Sequence, residues 1–77
     1  MNIGRAVLVH LRVVKYPESS LEIAQHLNTT WTRVRRALRK LRNEKLVDIE
    51  LRNATDLWFV TPAGREYDIN EFDKKLE

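Results

Sequence analysis

Arg33, Arg35, Arg36, Arg39, Lys40, Arg42 and Lys45 are seven of the chain's fourteen basic side chains, packed into thirteen residues with one acid, Glu44. Val34, Leu38 and Leu41 recur among them at spacings of four and three, which predicts an amphipathic helix. On that helix Thr32, Arg36, Arg39 and Asn43 lie opposite the apolar stripe. Arg35 and Arg42 fall on one flank, Arg33 and Lys40 on the other, and Trp31 and Ala37 at the edges of the stripe. The neighbours Arg33/Arg36, Arg35/Arg39, Arg36/Arg39, Arg36/Lys40 and Arg39/Arg42 all carry like charge, where opposed pairs would each add about 0.2–0.5 kcal/mol. Only Lys40/Glu44 opposes signs. Arg33, Arg35 and Arg36 also crowd the helix N-terminus, where the macrodipole favours anions. A helix built against both preferences calls for an external polyanion.

Seventy-seven residues, 43% of them hydrophobic and 32% charged, make one small domain with a modest core. Residues 66–77 hold five acids against Lys74 and Lys75, a net of −3; with +3 overall, the rest of the chain carries +6. That asymmetry points to a nucleic-acid face with an acidic tail elsewhere. There is no cysteine for a disulfide or thiolate metal site. No stretch approaches a membrane span or a signal sequence, so a cytoplasmic, nucleoid-associated location is expected.

Along the chain, Ile3, Val7, Leu8, Leu11 and Val14 fit one face of a first helix over residues 1–16, with Asn2 as a cap. The β-branched residues from Val7 to Val14 make a strand compete, but the pattern of the next two segments favours a helix. Pro17 closes it. Ser19 and Glu22 form a capping box for a second helix over 19–27, with Ile23, Ala24 and Leu27 buried. Thr30 caps the third, over 30–45. Two short helices about three residues apart, the second basic, make the helix-turn-helix pattern. The periodicity then alternates: Val47, Ile49 and Leu51, then Trp58 and Val60, are predicted to face the core of a hairpin over 46–61. Residues 52–56 form its loop, leaving Leu57 and Phe59 on the other face to be covered. Thr61 and Pro62 open a last helix over 62–77 with Ile69, Phe72 and Leu76 as its stripe. The class is α+β, a three-helix core with a two-stranded wing and a short C-terminal helix.

Four segments together resemble winged helix-turn-helix domains of MarR-type and related bacterial and archaeal regulators. Residues 21–27 resemble their second helix, and 30–41 their recognition helix. Leu46 and Val47 resemble their entry to the wing, and 60–66 the exit. The match spans about residues 19–67. Lys45 stands where the family usually has a turn glycine. The long flanking helices of full MarR-type proteins are absent from this sequence, so no small-molecule effector is inferred.

The resemblance implies that the third helix enters the major groove of double-stranded DNA, which admits an α-helix. It puts Trp31, Thr32, Arg35 and Arg36 nearest the bases, with Arg36 suited to a bidentate guanine contact. Arg39, Lys40 and Arg42 are expected on phosphates, with Arg33 beside them; Thr30 could cap and also touch a phosphate. Arg52 and Asn53 at the hairpin tip would reach the minor groove or backbone. Trp31 has two readings, packing at the core margin or contact with a thymine methyl or a sugar. Leu57, Phe59, Phe72 and Leu76 either let the final helix fold back over the hairpin or form a homodimer seam with the first helix. A dimer is favoured, because one half-site gives limited affinity. His10 and His26 fall on different helices without further clustered ligands, so neither a metal site nor catalysis is expected. The implied function is a sequence-specific transcriptional regulator. The alternatives are an architectural or replication-linked DNA binder, or a protein-docking module of a larger transcription or repair assembly.

Overall fold

The computed structural model describes residues 2–74, the last of them by its backbone. The element order is α1 (Ile3–Val13), α2 (Ser20–His26), α3 (Trp31–Asn43), β1 (Val47–Arg52), β2 (Thr55–Val60), α4 (Pro62–Glu66) and α5 (Glu71–Lys74). This is an α+β winged-helix fold, three helices followed by an antiparallel hairpin. Among the described residues no helix is long and apolar enough to cross a membrane.

Side-chain caps set the helix starts. Asn2 accepts from Arg5 N at the head of α1, and Ser19 and Glu22 complete the reciprocal capping box of α2. Thr30 accepts from Arg33 N and starts α3. The ends of α2 and α3 share a different device. Asn28 (φ 53°) and Lys45 (φ 65°) adopt left-handed backbone. In each case this residue and the next return their N–H groups to the last turn, Asn28 to Gln25 O and Thr29 to Ala24 O, Lys45 to Arg42 O and Leu46 to Leu41 O. Both are Schellman endings. Asn28 suits the conformation, whereas Lys45 takes up a glycine's geometry with a side chain attached.

Val7, Leu8 and Leu11 of α1 meet Ile23 and Ala24 of α2, and Val34, Ala37, Leu38 and Leu41 of α3, in one core. Leu46, Val47, Trp58 and Val60 close it from the hairpin side. β1 and β2 pair with Val47 opposite Val60 and Ile49 opposite Trp58. Glu18 adds a one-residue bridge outside the hairpin, exchanging both backbone bonds with Trp58 (3.1 and 2.7 Å). The connection between α1 and α2 is thereby fastened to the wing.

Four expectations are corrected. The hairpin turn is two residues, Asn53 and Ala54, both at positive φ as a type I′ turn demands, rather than a five-residue loop. Leu51 shares the parity of Val47 and Ile49 but is 72% exposed, because the wing extends beyond the core at that point. The final helix is two short ones. Tyr67 is extended, and Asp68 turns the chain by accepting from Asn70 N, so α4 stops at Glu66. Phe72 packs on the start of α1 rather than over the hairpin: it abuts Gly4, lies edge-on to Tyr67, and its carbonyl accepts from the Asn2 side chain. Leu76 lies outside the described residues. Phe59 borders a hollow formed with Val14, Tyr16 and Pro17, beside the α1–α2 connection.

Candidate nucleic-acid interface

α3 buries Val34, Ala37, Leu38 and Leu41 and turns its remaining side chains outward. Trp31, Thr32, Arg35, Arg36, Arg39, Lys40 and Asn43 line one shallow concavity on this outer face. Six of those seven are residues expected from the sequence to contact DNA; the seventh, Asn43, falls on the same outward stripe with no contact assigned to it. Thr30 and Arg33, at the helix head, are also exposed.

The cations on this face differ in what they touch. Arg33, Arg36, Arg39 and Lys40 make no ion pair among the described residues. Arg35 is half-buried, with its guanidinium carbon 4.7 Å from the centre of the Trp31 ring, a cation–π stack. Arg42 donates to Asp48 at 3.3 Å and so ties the end of α3 to the base of the wing. An exposed pair of that kind adds at most about 1 kcal/mol, enough to bias orientation without neutralising the face.

Trp31 lies outside the core. It is 46% exposed, and its indole N–H donates to Ser20 Oγ at 2.8 Å, at the first residue of α2. This bond and the Arg35 stack hold the ring at the mouth of the concavity. Ser20 and Asp48 thus orient Trp31 and Arg42 although neither stood out in the sequence. The reason is that both contacts span elements and have no local spacing.

Arg52 and Asn53 are exposed at the far end of the hairpin. Arg52 is not free there, since it donates to Glu50 on its own strand at 2.8 Å. The base of the hairpin is fixed by Thr61, which caps α4 through Gly64 N and donates to Lys45 O. A Cβ on Gly64 would lie 2.0 Å from Leu46 O, so only glycine lets α4 approach the start of β1 this closely.

His10 and His26, expected to lack a further clustered ligand, are brought together on Glu18. His10 Nε2 lies 2.6 Å from Glu18 Oε1, and His26 Nδ1 lies 3.3 Å from Glu18 Oε2. The imidazole rings are tilted toward each other with centroids 5.2 Å apart. Different helices converge because Glu18, between them in sequence, is pinned by its bridge to Trp58.

Comparison with known proteins supports the architecture. No protein-family profile and no curated protein sequence matches the chain. A solved structure of a point mutant of Lactococcus lactis ZitR is similar, with a TM-score of 0.74 and 21% identity over 82% of this chain. The chain spans 44% of that protein's length. Likeness at this identity speaks for the winged-helix fold.

Proposed function

We propose that the protein is a sequence-specific double-stranded DNA-binding transcriptional regulator, a relative of MarR-type proteins, acting in the cytoplasm on the nucleoid without catalysis. The observation that carries this reading is the exposed outer face of α3, where Arg33, Arg36, Arg39 and Lys40 stand without ion-pair partners among the described residues. Repulsion along that face is relieved by phosphate, and the major groove accepts a helix of this diameter. Thr32 and Arg36 would address base edges, with Arg36 bidentate on guanine. Trp31, braced by Ser20 and Arg35, would meet a thymine methyl or a sugar. Arg39 and Lys40 would hold phosphates, with Arg33 and Thr30 at the helix head. Arg42 would divide its charge between phosphate and Asp48, and Arg52 and Asn53 would place the wing along the neighbouring backbone or minor groove.

The proposed active unit is a homodimer, since a single half-site offers limited specificity. With Phe72 engaged in its own chain, Val9 and Val13, exposed on α1, become the apolar residues for the seam. Two recognition helices would then lie about 34–36 Å apart on a pseudopalindrome.

Selection from random duplexes at fixed salt tests this reading. The expected result is an enriched palindrome, with Arg36→Ala costing about 1–3 kcal/mol and relaxing one position, and Arg39→Ala weakening all sequences alike. Binding without enrichment would favour an architectural role. Loss of duplex binding altogether would favour a protein-docking module.

A further inference from the structure

We propose that His10, Glu18 and His26 form a binding site for one divalent transition-metal cation of the zinc class. The site lies outside α3 and does not depend on DNA binding.

Each of the three residues offers a ligand atom, and these atoms all lie within 4.8 Å of one another. They come from three separate segments: the last turns of α1 and of α2, and the connection between those helices. In a tetrahedral zinc site with bonds of about 2.0–2.1 Å, neighbouring donors lie about 3.3–3.4 Å apart. His26 Nδ1 stands 3.3 Å from Glu18 Oε2, His10 Nε2 at 2.6 Å must withdraw from Oε1 by less than about 1 Å, and the two nitrogens, within 4.8 Å of each other, must settle at the same spacing to admit the ion.

The placement is fixed rather than incidental. Glu18 is anchored through both backbone bonds to Trp58. His10 precedes the buried Leu11, and His26 belongs to the last turn of α2, which the Asn28 Schellman ending closes. The carboxylate and the His10 ring are largely withdrawn from water, with side chains 12% and 15% exposed, while His26 at 54% leaves an open side. An ordinary ion pair would require one imidazole on this carboxylate, and here two converge on it.

Two imidazoles and one carboxylate match the three-ligand zinc sites that keep a fourth position for water. Nitrogen donors select zinc-class ions over magnesium or calcium, which prefer all-oxygen cages. Each ring would carry its proton on the nitrogen facing away, leaving His10 Nε2 and His26 Nδ1 to coordinate. The bound ion would cross-link α1 to α2 and, through Glu18, to the wing strand.

The test titrates the full chain, without DNA, with Zn2+, and with Co2+ as a spectroscopic substitute. The expected result is one ion per chain and visible Co2+ absorption of a low-coordinate site. With Zn2+ about a hundredfold above its Kd, Tm should rise by about 10–20 °C. His26→Ala, at an exposed position, and Glu18→Gln, which keeps the backbone bridge, should each weaken Zn2+ binding at least about tenfold. The chain has two histidines and no cysteine, so any imidazole-ligated ion must use His10 or His26, and Glu18→Gln distinguishes this site from one that His26 would build with another carboxylate. An unchanged Tm in a large excess of Zn2+, or binding unaffected by both substitutions, would overturn the proposal. Either result leaves DNA binding untouched, and failure of DNA binding would leave this titration unchanged.

Discussion

Arg12 on α1 and Arg36 and Arg39 on α3 are the same residue type on neighbouring helices, with opposite commitments. Arg12 is half-buried and donates through Nε and a terminal nitrogen to Gly64 O, at 3.0 and 2.8 Å, and through the same nitrogen to Tyr67 O. It clamps the chain leaving the wing against α1. Arg36 and Arg39 are exposed and have no ion pair among the described residues. A guanidinium's fixed fork makes it equally good at satisfying paired carbonyls and at gripping an external anion. What separates the two cases is the partner within the fold, and Arg42, tied to Asp48 yet half-exposed, stands between them.

The contrast can be broken by substitution. Gly64→Ala should be the most damaging change on the clamped side, costing about 3 kcal/mol in denaturant melts, because its Cβ would overlap Leu46 O. Arg12→Ala should cost about 2 kcal/mol by releasing two carbonyls, while the folded fraction keeps its DNA affinity. An equal loss of DNA affinity in folded Arg12→Ala protein would erase the distinction. Lys45→Gly should instead stabilise the protein by about 0.5–1 kcal/mol, since glycine adopts the φ of 65° without penalty. On the outward side, Arg39→Ala should change stability by less than about 0.5 kcal/mol, and relief of like-charge repulsion gives the change a stabilising sign.

The smallest effect is a pH dependence. The Ser19 backbone N–H, and then its hydroxyl, hold Glu22 below the ordinary glutamate range. The capping box therefore stabilises α2 fully above that range, and its contribution is lost as pH falls through the lowered value. In Glu22→Gln this acid-side dependence should be absent from melts recorded across mildly acidic pH.

Local features were legible in the sequence. The caps at Asn2, Ser19, Thr30 and Thr61 need only a few neighbouring residues, and the faces of α1 and α3 follow from periodicity. The outward set on α3 was readable for the same reason. Contacts between distant segments were not. Nothing near Glu18 announces its pairing with Trp58, so the meeting of His10 and His26 stayed hidden. The break at Tyr67 depends on Arg12, more than fifty residues earlier, engaging the carbonyls of Gly64 and Tyr67. Trp31 sat at the boundary of two readings because helical angle alone cannot register Ser20 on another helix. Leu51 departs from its predicted burial because alternation gives a face but not how far along it the core extends.

The central claim, that the outer face of α3 is held ready for a polyanion, is tested most directly by measuring affinity for duplex DNA across a range of salt. With about five phosphates neutralised, log K should fall against log salt with a slope of about −4 to −5, and by about one less in Arg39→Ala. A flat dependence, or no binding at low salt, would contradict it.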